Sequence, residues 1–221
     1  MFRLRCWVIS VISGNISAGK TTLCERLSRT LPDCIYKEES FKKIDGLAEY
    51  YAETERNKDQ TYNKYALPLQ LEFLRLRLEN ELSCNQAQCK YLVLDRCIYE
   101  DYYIFAQTQR HLGFITESEF KEYEEVYEEY TKKVTEPDLF IYLRTSTPKL
   151  LERIWMRGRE YEQSITPEYL DTLTNFYEKF IGEIDKTFRR SKSAVIDTTH
   201  IDQERVFQLA MKNISGLNIN S

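Results

Sequence analysis

The chain has 221 residues, of which 30% are charged and 13% aromatic, and it carries a net charge of −4. That length fits one domain with a full core, and the composition excludes a disordered or collagenous chain. A mildly acidic chain with no basic stripe argues against a nucleic-acid partner, because nothing would displace counterions from a phosphate backbone.

The first apolar run, Cys6–Ser13, is β-branched and too short to span a membrane. It reads as a strand leading into a glycine loop, not as a signal peptide, and no membrane partner is expected. Further strands are expected at Cys34–Lys37, Tyr91–Asp95, Leu139–Arg144 and Ala194–Asp197, each short enough to be a buried parallel strand. Helical periodicity runs through Lys20–Thr30, Gly46–Ala52, Tyr65–Ser83, Tyr99–Gly113, Ser118–Val134, Thr147–Arg157, Pro167–Arg190 and Asp202–Asn213. Pro137, Pro148 and Pro167 fall at element boundaries, where proline can start an element but not continue one. The polar stretch Glu55–Thr61 reads as a loop. Strands alternating with helices imply right-handed crossovers and a doubly wound parallel sheet. With no repeat or linker in sight, residues 1–221 are expected to form a single domain.

The motifs lie at the expected carboxyl ends of the strands, where open α/β sheets bind ligands. GNISAGKTT, Gly14–Thr22, carries Gly14-x4-Gly19-Lys20-Thr21, the full P-loop pattern, between a strand and a helix. Its glycines let backbone N–H groups converge on phosphate oxygens, Lys20 neutralises charge and Thr21 can ligate magnesium. In LVLDRC, Asp95 can join the magnesium shell and Arg96 can meet a phosphoryl group in flight. KEES places Glu38 and Glu39 at a strand end, where a carboxylate can take a proton from an attacking hydroxyl; a solvated strand end is the plainer alternative. PLQLEFLRLRLE puts Gln70 and Arg77 two turns apart on one helix face, and an amide is suited to reading a base edge; an ordinary amphipathic helix is the plainer alternative. RIWMRGRE gathers Arg153, Arg157 and Arg159 into a segment suited to clamping a polyphosphate. EFKEYEEVYEEYTKK has Tyr123, Val126, Tyr127 and Tyr130 on one stripe, the pattern of a helix packing on the core or on a second subunit. Six scattered cysteines and two isolated histidines give neither a zinc pattern nor a disulfide framework, which points to a reduced, cytoplasmic protein.

Together these stretches resemble the deoxyribonucleoside kinases over nearly the whole chain. GNISAGKTT is similar to that family's P-loop. LDRCIYEDYYIFA is similar to its Asp/Glu-Arg-Ser signature, with Cys97 for serine, and YLRTSTPKLLERIWMRGREYEQSITPEYL to its fourth strand, arginine lid and following helix. The resemblance implies a P-loop kinase fold: a five-stranded parallel sheet flanked by helices, with an arginine-rich lid over about residues 153–165. It implies transfer of the γ-phosphate of ATP, with Mg2+, to a deoxynucleoside 5′-hydroxyl by a homodimer.

Residue by residue, the resemblance assigns ATP and its phosphates to Gly14, Asn15, Ile16, Ser17, Ala18, Gly19, Lys20, Thr21 and Thr22, with Arg153, Arg157 and Arg159 from the lid. Thr21 and Asp95 fall to the metal. Glu39, nineteen residues beyond Lys20, becomes the general base in preference to Glu38, acting with Lys20 and Arg96. Gln70 matches the base-reading glutamine and Phe105 the aromatic that stacks on the base. Tyr51, with Tyr50 as a substitute, and Glu162 match the pair on the sugar 3′-hydroxyl. Arg77 and Asp101 match a pair carried by members preferring deoxycytidine or purine deoxynucleosides, so deoxyadenosine, deoxycytidine or deoxyguanosine is the expected acceptor. The alternatives are a thymidine-preferring or broad-specificity enzyme, a thymidylate or other nucleoside monophosphate kinase, and a non-catalytic nucleotide-binding module.

Overall fold

The computed structural model describes residues 8–39, 46–56, 62–84 and 89–217. Five parallel strands, β1 (Val8–Gly14), β2 (Cys34–Lys37), β3 (Tyr91–Asp95), β4 (Leu139–Arg144) and β5 (Lys192–Asp197), form one sheet in the order β2-β3-β1-β4-β5. Ile12 pairs with Asp95 and Gly14 with Leu143, so the carboxyl ends of the three inner strands finish side by side. The chain leaves β1 for one side of the sheet and crosses to the other after β3. The loop after β1 therefore opens at the switch point.

Side-chain alternation sorts the core into two layers. Ile9, Val11, Leu92, Leu94, Phe140 and Tyr142 face one cluster, whereas Ile12, Val93, Leu139, Ile141 and Leu143 face the other. The first layer is covered by α3 (Ala66–Leu82), α6 (Glu117–Thr131) and α8 (Pro167–Gly182). The second is covered by α1 (Lys20–Thr30), α7 (Thr147–Arg157) and α10 (Gln203–Ser215). Side-chain caps set several helix starts. Thr116 accepts from Glu119 N at 3.2 Å, Thr166 from Tyr169 N at 3.2 Å and Asp202 from Arg205 N at 2.7 Å. Gly158, at φ +67°, ends α7 in the left-handed conformation that a side chain would disfavour.

Several expectations are corrected. The outer strands are not buried: β2 is half-buried and β5 mostly exposed, because each is an edge with a neighbour on one side only. β5 also starts two residues earlier than expected. The helix expected over Tyr99–Gly113 is three pieces. A single turn, α4 (Ile98–Glu100), runs into a π-helical turn over Asp101–Ala106 and then α5 (Gln107–His111). Asp101 and Phe105, both on this wide turn, line the same cavity. The long helix from Pro167 stops at Gly182, and a short α9 (Ile184–Thr187) precedes extended backbone at Phe188. Glycine is a poor helix former, and Phe188 turns back to pack on Tyr99 and Phe140. The helix α2 (Leu47–Arg56) takes in Glu55 and Arg56, which were expected in a loop; 57–61 lie outside the described residues, as do Cys6 and Trp7. On α6 the tyrosine stripe packs on the chain's own core, with Tyr127 stacked on Tyr102 at 4.2 Å.

Candidate active site

The loop from Gly14 to Gly19 is shaped by backbone conformations that few residues accept. Gly14 sits at φ +151°, and a Cβ there would meet Leu143 O at 2.9 Å and Ala18 Cβ at 3.1 Å. Gly19, at φ +100°, precedes α1, which has no side-chain cap and no acidic residue in its first turn. Its leading N–H groups are thus left for an anion, with the positive end of the helix dipole behind them. Asn15 staples the loop from beneath. Its amide donates to Leu170 O at 2.8 Å and Thr174 Oγ1 at 3.0 Å, while its carbonyl accepts from Ile16 N at 2.7 Å. Buried Lys20 donates to Asn15 O at 2.9 Å, and burial together with the Arg96 charge lowers its pKa to about 8.

Thr21 Oγ1 donates to Asp95 Oδ2 at 2.6 Å, and the other oxygen, Asp95 Oδ1, is buried with no hydrogen-bond partner. Burial raises the Asp95 pKa. A hydroxyl beside a carboxylate oxygen that lacks a partner suits a hard cation such as magnesium, which takes oxygen ligands.

Next to this pair, Arg96 adopts φ +68°, an uncommon conformation for a non-glycine residue at the end of a strand. Its Nη1 donates to Gly14 O at 2.8 Å and to the Tyr177 hydroxyl, lies 3.4 Å from Glu100 Oε1, and its guanidinium sits 4.7 Å from the Phe105 ring centre. Its Nε is 2.9 Å from Glu39 Oε1, yet that N–H is not aimed along a hydrogen bond. The contact is one of charge. Arg77 Nη2 reaches the same oxygen at 3.3 Å, and Arg77 also holds Asp101 at 3.2 and 3.4 Å and the Asp95 carbonyl at 3.1 Å. Burial works to raise the Glu39 pKa, but the charges of Arg96, Arg77 and Lys20 overcome it and hold the carboxyl at about 2.

One cavity of about 490 Å3 runs from the loop past Arg96 and Glu39. Lys20, Thr21, Arg153 and Arg157 border it, as do Glu38, Glu39, Gln70, Arg77, Asp101 and Phe105. Gln70 lines this space and is only 4% exposed, and its Oε1 is buried with no hydrogen-bond partner. A buried carbonyl left unpaired is costly, which is the mark of a group kept for a ligand. Tyr50 and Tyr51 both line the cavity but find different partners. Tyr50 gives its hydroxyl to Gln109 at 2.9 Å inside the core, whereas Tyr51 stacks on Tyr161 at 6.0 Å on the side where the Glu162 charge acts on it.

The three arginines do not converge on one point. Arg157 and Arg159 both donate to Glu162, the latter at 3.1 Å. Arg153 turns the other way and donates to Ala18 O at 3.2 Å and Thr198 O at 3.1 Å. Glu162, expected as a sugar ligand, is here the counter-charge of two expected phosphate ligands. Sequence reasoning missed Tyr177 and Glu100 behind Arg96, and Arg26, Thr198, Gln203 and Val206 at the far end of the cavity. Nothing local marks these residues; only the topology brings them to the site. It also missed Glu81, whose buried carboxylate accepts from Ile98 N at 2.8 Å at the start of α4, with a pKa raised to about 7 by burial.

A family model described as deoxynucleoside kinase matches residues 10–217. Over 175 residues the chain is 33% identical to a deoxyadenosine kinase of Dictyostelium discoideum, covering 79% of this chain and 67% of that protein. It is 32% identical to a deoxyguanosine kinase of the same organism, covering 80% of this chain and 59% of that one. A deoxyadenosine/deoxycytidine kinase of Bacillus subtilis is 30% identical, with 79% and 76% covered. Among solved structures, the deoxyadenosine kinase of M. mycoides with dCMP and a flexible dCDP bound superposes with a TM-score of 0.77 at 25% identity, covering 94% of this chain and 98% of that one.

Proposed function

Because the chain belongs to the deoxynucleoside kinase family, with an ATP-dependent phosphotransferase activity toward deoxynucleosides, we propose that its cavity takes ATP at the P-loop end and a deoxynucleoside at the Gln70 end. The observation that carries this reading is Glu39. It is a carboxylate kept ionised by Arg96 and Arg77 on the wall of a cavity that the P-loop and the base-facing glutamine also line.

On this reading Glu39 accepts the proton of the 5′-hydroxyl as that oxygen attacks the γ-phosphoryl group in line. The loop of residues 14–22, Lys20 and Arg96 receive the charge that develops on the transferred group. Arg157 and Arg159 join them from the lid over about residues 153–165, leaving Glu162 for the sugar 3′-hydroxyl together with Tyr51. Arg153 lies toward the donor base, beside Thr198. Gln70 pairs with the acceptor base and Phe105 packs on its face. Thr21 and Asp95 would hold the Mg2+ that accompanies ATP, an ion that supplies neutralisation of phosphate charge when bound.

The fixed Arg77–Asp101 pair supports deoxyadenosine, deoxycytidine or deoxyguanosine over thymidine, in line with the named activities of the relatives. Two glutamates on the acceptor side disfavour a monophosphate acceptor, whose added negative charge they would repel. We place the chain as one kinase domain in a cytoplasmic homodimer; among the described residues no helix is long and apolar enough to cross a membrane. The test is to compare kcat/KM for the four deoxynucleosides and for thymidylate with ATP and Mg2+. Preference for one of the three named nucleosides supports the reading, and turnover of thymidylate alone overturns it.

A further inference from the structure

Tyr177 is fully buried on α8, the helix that follows the expected lid. Its ring stacks on Tyr142 of β4, with centres 5.3 Å apart and planes 11° off parallel, which fixes the direction of its C–O bond. The hydroxyl accepts from Arg96 Nη1 and donates to Glu100 Oε1 at 3.0 Å. Glu100 in turn accepts from Cys97 N at 3.2 Å through Oε2, closing a ring of contacts around the residue after Arg96. Burial raises the phenol pKa well above its ordinary value, so the hydroxyl stays protonated and keeps both roles.

Core packing alone needs a ring here and no hydroxyl. A buried hydroxyl touching a cation and an anion has a specific consequence, because it occupies the space between them. Arg96 Nη1 also donates directly to Glu100 Oε1, but at 3.4 Å that bond is long and weak. Without the phenol, attraction in a buried setting would draw the guanidinium onto Glu100 and off Gly14 O and the cavity wall. Arg96 is also held at positive φ, a conformation that persists only where surrounding contacts over-determine it. The same helix ties down the P-loop through the Asn15 amide on Leu170 O and Thr174 Oγ1.

We propose that Tyr177 is a positioning residue for phosphoryl transfer: from α8 its hydroxyl holds the Arg96 guanidinium toward the cavity by keeping it from closing further onto Glu100. This rests on the assignment of Arg96 to the transferred phosphoryl group. Tyr177→Phe keeps the ring and the stack. It lowers kcat about tenfold or more while the KM values for ATP and deoxynucleoside stay within about threefold, since Arg96 meets charge that develops only during transfer.

The discriminating variant is Glu100→Gln, which removes the attracting charge; with its carbonyl oxygen kept on Cys97 N, its amide nitrogen donates to the Tyr177 hydroxyl oxygen instead of accepting from it. Alone it leaves kcat within about threefold of wild type; combined with Tyr177→Phe it restores most of the lost kcat. A double variant as slow as the single one, or slower, overturns the proposal, as does a Tyr177→Phe enzyme with unchanged kcat or a tenfold loss in Glu100→Gln alone. Nitrogen NMR of the arginine side chains in the ATP-free protein reads the hold on Arg96 directly. Tyr177→Phe should change the Arg96 Nη resonances and their rotation rate, and an unchanged Arg96 signal overturns the proposal whatever the activity. Failure of wild type to phosphorylate any deoxynucleoside, with those Arg96 signals altered as expected, instead overturns the functional assignment of the cavity.

Discussion

Arg96 Nε and Glu39 Oε1 lie 2.9 Å apart with no hydrogen bond between them. The guanidinium therefore supplies charge that keeps Glu39 ionised without adding a second hydrogen bond to the one this oxygen accepts from Arg77 Nη2 at 3.3 Å. That leaves a lone pair for an incoming hydroxyl. Glu39→Gln keeps the shape and loses the charge, so kcat should fall about 100-fold or more while nucleoside KM stays within about threefold. Steady-state kinetics decide this, and near-normal turnover would remove Glu39 from the mechanism.

Activity should depend on pH through Lys20. Its pKa in the free enzyme, about 8, lies below its ordinary value, so the ammonium is present below that pH and lost above it. Glu39, at about 2, stays ionised throughout the working range. We expect no loss of kcat/KM from Glu39 between about pH 5 and 7, and a fall above about pH 8. The basic limb of kcat should lie higher, because bound triphosphate favours the charged amine. A kcat/KM profile flat to about pH 10 would contradict the placement of Lys20.

Gln70 supplies the acceptor-side test. Gln70→Leu fills similar space and leaves the polar edge of the bound base without a partner. Leaving such a group unpaired costs about 1–3 kcal/mol, so nucleoside KM should rise about fivefold to 150-fold with ATP KM nearly unchanged. A parallel rise in both would show a general disturbance of the cavity.

Stability should respond to Glu81 with a definite sign. Its folded pKa, about 7, lies above the ordinary value of 4.5, so between those pH values the native state binds more protons than the unfolded one. Its contribution is present at low pH and lost as pH rises to about 7. Glu81→Gln still accepts from Ile98 N and carries no charge. It should match wild type near pH 4.5 and exceed it by up to about 3 kcal/mol at pH 8, at 1.36 kcal/mol per unit. Urea unfolding at the two pH values checks this, and a variant less stable at pH 8 would refute it.

The parts legible in the sequence are those whose physics is local. β2, β3, β4, α1 and α7 have the bounds that periodicity, β-branching and boundary residues indicate, because each is a short run with its own terminator. The π-helical turn over Asp101–Ala106 was not legible, since its amphipathic pattern is that of an ordinary helix and tertiary packing decides the extra residue. Edge and inner strands look alike until the order of the sheet is known, which is why β5 reads as buried. At the site, Lys20 and Arg96 follow from motifs. The phenol behind Arg96 comes from 81 residues away, and the pairing of Glu162 with Arg157 and Arg159 depends on the fold of the short turn between them. The split between Tyr50 and Tyr51 is a matter of helix phase, which a stretch of uniform polarity does not reveal.

Gly14 has a consequence for how this enzyme tolerates change. The obstacle to a methyl group there is the carbonyl of Leu143, which belongs to the neighbouring strand and cannot yield without moving the sheet. Substitution at position 14 should therefore be rejected equally in the presence and absence of nucleotide. In a random library the position would score as a catalytic residue although it contributes no side-chain group. What selection preserves there is an empty volume.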